Sequence, residues 1–144
     1  MVTQLVLNAV SLLGVTALGI QDILYMKIHR WMAYAFVFSG LIVSLILRSP
    51  AKIALSALPG LILLIISIAT REKIGRGDCV TVIGLGLWIG IRGALLSVFV
   101  GIGLSSVVSI IYMALSEIKG LSGKKAIPFI PFLMCGLVVS IISE

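Results

Sequence analysis

Charge is scarce in this sequence, because Lys, Arg, Asp and Glu together make up only 11% of its 144 residues. A soluble domain carries roughly a quarter charged residues. With 60% apolar residues, a water-soluble fold of this size would lack the polar surface to cover its Leu, Ile and Val side chains. Lipid removes this conflict, since there the outside of a protein can be apolar too. The composition therefore predicts an integral membrane protein.

Cysteine and histidine are also sparse, with two Cys and one His. Cys79 and Cys135 form no CxxC pair and have no cluster of histidines nearby, so the sequence predicts neither a metal site nor a cofactor. Both cysteines are interpreted as small apolar packing residues inside helices.

The net charge of +6 does not indicate a nucleic-acid partner. Such binding needs a contiguous positive surface, whereas the basic residues here fall between apolar segments. That distribution is typical of residues that contact anionic lipid headgroups. Membrane lipid is therefore the expected contact.

Long apolar runs dominate the chain. A helix needs about 20 apolar residues to cross the hydrocarbon core, and six segments approach that length. We therefore expect one all-α, polytopic membrane domain over residues 1–144 with six transmembrane helices. The first span is expected to be retained, since no basic residue precedes it as in a signal peptide. The expected spans are residues 4–25, 31–47, 53–70 (with a kink at Pro59), 78–91, 94–115 and 126–142.

The distribution of Lys and Arg predicts the orientation. The loops after spans two and four hold only Arg48, Lys52 and Arg92. The loops after spans one, three and five hold the rest, namely Lys27, Arg30, Arg71, Lys73, Arg76, Lys119, Lys124 and Lys125. These three loops are expected in the cytoplasm, with both chain termini outside.

Small residues recur every four positions along the fifth span, at Gly93, Ser97, Gly101, Ser105 and Ser109. Such a stripe lets helix backbones approach closely in lipid, where no hydrophobic force drives helices together. It predicts a helix-packing face.

Asp22 and Asp78 are the only aspartates in the chain. Asp22 precedes Lys27 by five residues, about 7 Å along a helix, and Asp78 opens the fourth span. The predicted topology puts both at the cytoplasmic face. Ionisable residues within membrane helices are costly, at about 2.5–3.5 kcal/mol for a helix centre, and this cost indicates a function.

Two carboxylates within a few ångströms of each other cannot both ionise easily. One then holds a proton while the other acts as a base towards water, as in aspartyl proteases. Simpler interpretations also exist: Asp22 could pair with Lys27 or Arg30, and Asp78 could be the N-cap of its helix. The glycines that flank Arg76 would further allow unusual backbone angles and the close approach of a substrate strand.

The segment Gly75-Arg76-Gly77-Asp78 resembles the GxGD motif of polytopic aspartyl proteases, which include prepilin, preflagellin and presenilin-type peptidases. The stretch that begins at Asp22 is similar to the first-aspartate region of prepilin peptidases. The order of the motifs and the six spans favour the prepilin type.

A late segment supports the same resemblance. It is similar to the Pro-Phe-x-Pro-Phe segment that opens the last helix in prepilin peptidases, and it contains Pro128, Phe129, Pro131 and Phe132. There are departures, because His29 and Arg30 stand where the family usually has proline and asparagine. The chain also lacks the paired-cysteine region of the methylating members, so it resembles the small, peptidase-only form.

The resemblance implies an aspartic-type endopeptidase that removes a short basic leader from type IV pilin-like precursors. Cleavage would occur at the cytoplasmic membrane face, in the service of a type IV pilus or of protein secretion. Glu72 and Glu117 are acidic groups that could receive the leader. The resemblance assigns a catalytic pair, Asp22 and Asp78; an active-site turn, Gly75, Arg76 and Gly77; and supporting residues, Lys27, Pro128, Phe129, Pro131 and Phe132.

Two other functions fit parts of the pattern. An ion- or proton-coupled carrier uses membrane aspartates as proton relays, but it would place them near the bilayer midplane. A structural subunit would use Asp22 and Asp78 only as caps or ion-pair partners, and would tolerate their exchange for asparagine.

Overall fold

A computed structural model describes residues 2–25, 30–70, 75–118 and 128–143. This part of the chain forms six α-helices and no strands, which confirms the predicted all-α polytopic membrane fold. The helices are α1 (Val2–Tyr25), α2 (Arg30–Leu47), α3 (Pro50–Ala69), α4 (Arg76–Ile89), α5 (Ile91–Ile118) and α6 (Ile130–Ser143).

Three of these helices have the length and apolar composition needed to cross a membrane. Within the described residues, they are Val2–Tyr25, Pro50–Ala69 and Ile91–Leu115. Two further apolar helices are shorter, at Trp31–Leu47 and Ile130–Ser143. The helix α3 continues through the buried Pro59, consistent with the tolerance of membrane helices for proline.

The short helix α4 forms the centre of the molecule. It packs against α1, α2, α3 and α5, and most of its residues are buried. Glycines allow this crowding: a side chain at Gly84 would collide with the Phe36 ring, and one at Gly86 with the Ser56 carbonyl. Trp88 fixes α4 against α2, because its indole Nε1–H donates to the Phe36 carbonyl at 3.2 Å.

The small-residue stripe of α5 packs against α6 over its first half. A side chain at Gly136 would meet the Ser97 backbone, and one at Gly101 would lie 3.2 Å from the Leu133 backbone. Gly93, Ser97 and Gly101 are buried, whereas Ser105 and Ser109 are half-buried. The predicted packing face is therefore used mainly in its first half.

The break between α4 and α5 lies at Gly90, two residues before the Arg92-Gly93 pair that separates the fourth and fifth spans in the sequence prediction. Gly90 has φ of +90°, a conformation that glycine adopts without steric cost. Its N–H still donates to the Gly86 carbonyl at 2.7 Å, and its own carbonyl accepts the Ala94 N–H at 3.0 Å. One helix therefore ends and the next begins without an intervening loop.

The two cysteines have different surroundings. Cys79 is buried in α4, as predicted, but Cys135 is exposed on α6, so its interpretation as a packing residue is wrong. An apolar thiol is tolerated on a helix face that lipid covers.

Candidate active site

Asp22 lies in the last turn of α1, and its side chain is only 7% exposed. Its Oδ2 accepts a hydrogen bond of 3.2 Å from the backbone N–H of Ile130. The backbone of Phe129 also interacts with this carboxylate. The buried carboxylate thus meets the amino terminus of α6, where unpaired N–H groups and the helix dipole favour negative charge.

The proline-phenylalanine segment explains why Ile130 is the donor. Phe129 accepts the N–H groups of Phe132 and Leu133, at 3.0 and 3.1 Å, and so opens the first turn of α6. Pro131 has no N–H. Of the amides in that first turn, the N–H of Ile130 donates to Asp22, so this segment lies beside the Asp22 carboxylate.

Asp78 lies in the first turn of α4 and is half-buried. The N-cap of this helix is Gly75, not Asp78, so the interpretation of Asp78 as an N-cap is wrong. The Gly75 carbonyl accepts the Asp78 N–H at 3.1 Å, and this bond closes the first turn of α4. A side chain at Gly75 would lie 3.0 Å from Asp78 Oδ2.

The glycine at position 75 matters because it has no side chain, not because of its backbone angles. Gly75 has φ −60° and ψ 129°, values open to any residue, and Gly77 belongs to the helix itself. The expected unusual backbone angles are therefore absent at Gly75. What glycine contributes there is room for the Asp78 carboxylate.

The tertiary structure brings the two aspartates together. Helices α1 and α4, which carry Asp22 and Asp78, pack against each other, and the charge of Asp22 acts on the Asp78 carboxylate. Cys79 adjoins the pair: its thiol is fully buried, interacts with the Asp78 charge and hydrogen-bonds to the Ser67 side chain of α3.

The remaining predicted site residues are placed as follows. Arg76 is exposed at the first position of α4. Pro128, Phe129, Pro131 and Phe132 are all half-buried around the start of α6. Lys27, His29, Glu72 and the side chains of Arg30 and Glu117 lie outside the described residues.

Two participants have no signature in the sequence pattern. Ile130 acts through its backbone N–H, so its side-chain type carries no information about the bond. The sequence places Arg48 in a loop, yet its guanidinium hydrogen-bonds to the carbonyls of Leu87 and Trp88 in α4.

This arrangement can support acid–base chemistry on a water molecule. Two neighbouring carboxylates can divide the work between an acid and a base, with one proton shared by the pair.

Comparison with known proteins identifies the family of this chain. A family model described as the type IV leader peptidase family matches residues 9–114, most of the chain. The matched segment contains both aspartates and the turn before Asp78, and it ends before the proline-phenylalanine segment. No curated protein and no solved structure matches the chain.

Proposed function

The chain belongs to the type IV leader peptidase family, and we propose that it is an aspartic endopeptidase in which Asp22 and Asp78 activate water. Its substrates are type IV pilin-like precursors, from which it removes a short basic leader. The observation that supports the proposal is the packing of α1 against α4, which puts the two aspartates of the chain within electrostatic reach of each other.

The proposed reaction uses the pair as one acid and one base. Asp22 accepts a proton from water as the water oxygen attacks the carbonyl carbon of the scissile peptide bond. Asp78 donates a proton to the carbonyl oxygen, which gives a neutral tetrahedral intermediate. Asp22 then gives its proton to the leaving nitrogen while Asp78 takes a proton from one hydroxyl of the intermediate. The C–N bond breaks to give a carboxylic acid and an amine, and both aspartates return to their starting protonation states. The Ile130 N–H on Asp22 Oδ2 supports Asp22 as the base, since it stabilises the carboxylate.

The aspartic class is tested by incubating the purified protein with a pilin-like precursor from the same genome. Release of a leader-sized fragment is expected from the wild-type protein. Asp22→Asn and Asp78→Asn should each lower kcat about 10²- to 10⁴-fold, the usual contribution of general acid–base catalysis. Glu144→Gln removes an acidic residue to which the proposed mechanism assigns no role, and it controls for loss of charge.

The same experiment separates the other two functions. A folded Asp22→Asn or Asp78→Asn variant with full cleavage would refute the paired-carboxylate mechanism. A carrier would show no cleavage but aspartate-dependent proton uptake into vesicles. A structural subunit would show neither activity.

We also propose that the pair faces the cytoplasm, as the excess of Lys and Arg in three loops indicates. The test is maleimide labelling of Ser122→Cys in a background without Cys79 and Cys135. Labelling only after the membrane is permeabilised supports this orientation, and labelling of intact cells from outside contradicts it.

A further inference from the structure

Arg48 follows the last turn of α2 and reaches the far end of α4 from Asp78. Its Nη2 donates to the Trp88 carbonyl at 3.0 Å, and its Nη1 to the carbonyls of Leu87 at 3.1 Å and Gly86 at 3.4 Å. One planar guanidinium therefore contacts three of the last four carbonyls of this helix. The Arg48 N–H bonds to the Ser44 carbonyl at 2.8 Å, which fixes the base of the side chain to α2.

The need for this cap follows from the length of α4. Its 14 residues span about 21 Å, whereas the hydrocarbon core is about 30 Å thick. The helix is therefore shorter than the apolar layer. The last four carbonyls of a helix have no partner within it and carry partial negative charge. The half-buried Arg48 guanidinium supplies donors to three of them.

The break at Gly90 makes this end of α4 depend on Arg48. Gly90 has φ of +90°, and a side chain there would lie 3.6 Å from both terminal guanidinium nitrogens. At Gly90 the backbone leaves α4 and enters α5 beside the Arg48 guanidinium. The Gly86 carbonyl still accepts the Gly90 N–H, but the carbonyls of Leu87 and Trp88 have no further turn of the same helix to satisfy them.

We propose that Arg48 is a positioning residue for the peptidase reaction, which holds α4 at the depth and rotation that place Asp78 beside Asp22. A helix transmits axial displacement along its length, so a shift at the Trp88 end moves the Asp78 end as well. The inference rests on the proposed function, because it presupposes that Asp78 reacts.

The chain offers two matched controls. Lys52 and Arg92 are exposed cations that the predicted topology places on the same side as Arg48. Replacing either one removes the same charge and leaves the Arg48 cap on α4 intact. Arg48→Met is expected to lower kcat about 10- to 100-fold with KM nearly unchanged, since a displacement of about 1 Å can cost 10²-fold. Lys52→Met and Arg92→Met should keep the wild-type kcat.

Cys79 provides a readout of helix position that does not depend on cleavage. It adjoins Asp78, is fully buried and hydrogen-bonds to Ser67. In a Cys135→Ser background, Arg48→Met should raise the rate of Cys79 alkylation about tenfold or more at temperatures well below unfolding. The two control variants should leave that rate unchanged.

Arg48→Lys keeps the experiment decisive if the methionine variant does not fold. A lysine ammonium is a compact charge without the planar fork of arginine, so kcat should fall about three- to tenfold. A folded Arg48→Met or Arg48→Lys variant with wild-type kcat and wild-type Cys79 protection would overturn the proposal. A loss of thermal stability alone, with kcat per folded molecule unchanged, would also overturn it.

The experiments distinguish a failure of the proposed peptidase function from a failure of the proposal about Arg48. If the wild-type protein does not cleave the precursor, the aspartic peptidase proposal fails. Cys79 alkylation then still shows whether Arg48 holds α4 in place.

Discussion

The backbone N–H of Ile130 donates a 3.2 Å hydrogen bond to Asp22 Oδ2, which ties the last turn of α1 to the first turn of α6. The bond joins the proposed base to a segment that lies outside the matched family region. It gives the proline-phenylalanine segment a direct part in the candidate site, because the start of α6 orients the carboxylate of the proposed base.

Replacing Ile130 with proline removes this donor selectively. Ile130 is the first residue of α6, where proline is well tolerated because it has suitable φ and the N–H has no intrahelical partner. We expect Ile130→Pro to lower kcat about tenfold or more, since a hydrogen bond to a charged group contributes roughly 1.5–3 kcal/mol. Precursor cleavage measures the effect.

Ile130→Ala is the matched control for that prediction. It loses most of the buried side chain but keeps the N–H, so it should cost stability without the same loss of kcat. Equal kcat values for the folded Pro and Ala variants would show that the N–H does not matter.

Gly75→Ala tests the space beside Asp78. The new methyl group would lie 3.0 Å from Asp78 Oδ2, so the carboxylate must shift by a few tenths of an ångström. We expect kcat to fall about 3- to 10-fold, while the unfolding temperature stays close to that of wild type, because φ of −60° suits alanine. Gly103→Ala is the control, since a side chain there meets nothing within 4 Å. Unchanged kcat in Gly75→Ala would contradict this account of the turn.

Cys79→Ala separates carboxylate from thiol chemistry. The Cys79 thiol adjoins Asp78, so a cysteine nucleophile is the direct competitor of the proposed pair. We expect Cys79→Ala to keep kcat within about threefold and to lose about 1 kcal/mol of stability from the small cavity. Peptidase assays with and without iodoacetamide provide the measurement. A loss of activity as large as that of Asp78→Asn would favour a thiol mechanism.

Gly136→Ala tests the packing of α6 on α5. The added methyl group would lie 2.8 Å from Ser97 Cα and 2.9 Å from the Ser97 carbonyl carbon. Backbone atoms cannot move aside as a flexible side chain can, so we expect a loss of about 1–3 kcal/mol in the free energy of unfolding. Denaturant unfolding in detergent measures it, with Gly103→Ala again as the control. A Gly136→Ala protein as stable as Gly103→Ala would show that the two helices can separate at little cost.

The features readable from the sequence are those that the membrane imposes on local composition. Apolar runs in the sequence predicted the six helices of the described residues, three of which are long and apolar enough to cross a membrane, because lipid requires every backbone polar group to be satisfied within its own segment. Glycine and serine every four residues marked the α5 face that contacts α6. Asp22 and Asp78 stood out because charged residues are rare in such segments, and the glycine-flanked turn directed attention to Asp78.

Features that depend on contacts between distant segments required the tertiary structure. Arg92 resembled a helix end in the sequence, yet the break lies at Gly90, where the backbone can adopt positive φ and Arg48 caps the α4 carbonyls. The sequence does not show which carbonyl groups an arginine contacts. The role of Arg48 could therefore not be distinguished from that of a loop residue at the membrane surface.

The sequence by itself determined the solvent of this protein, its helices and the two carboxylates that form the candidate site, because these depend on the residue types along each segment. Only the tertiary structure decided what each carboxylate meets. The Ile130 N–H at Asp22 is a backbone group that every residue except proline carries, and the space at Gly75 is measured against the Asp78 side chain. Both depend on how segments pack in three dimensions, and no single segment encodes that packing.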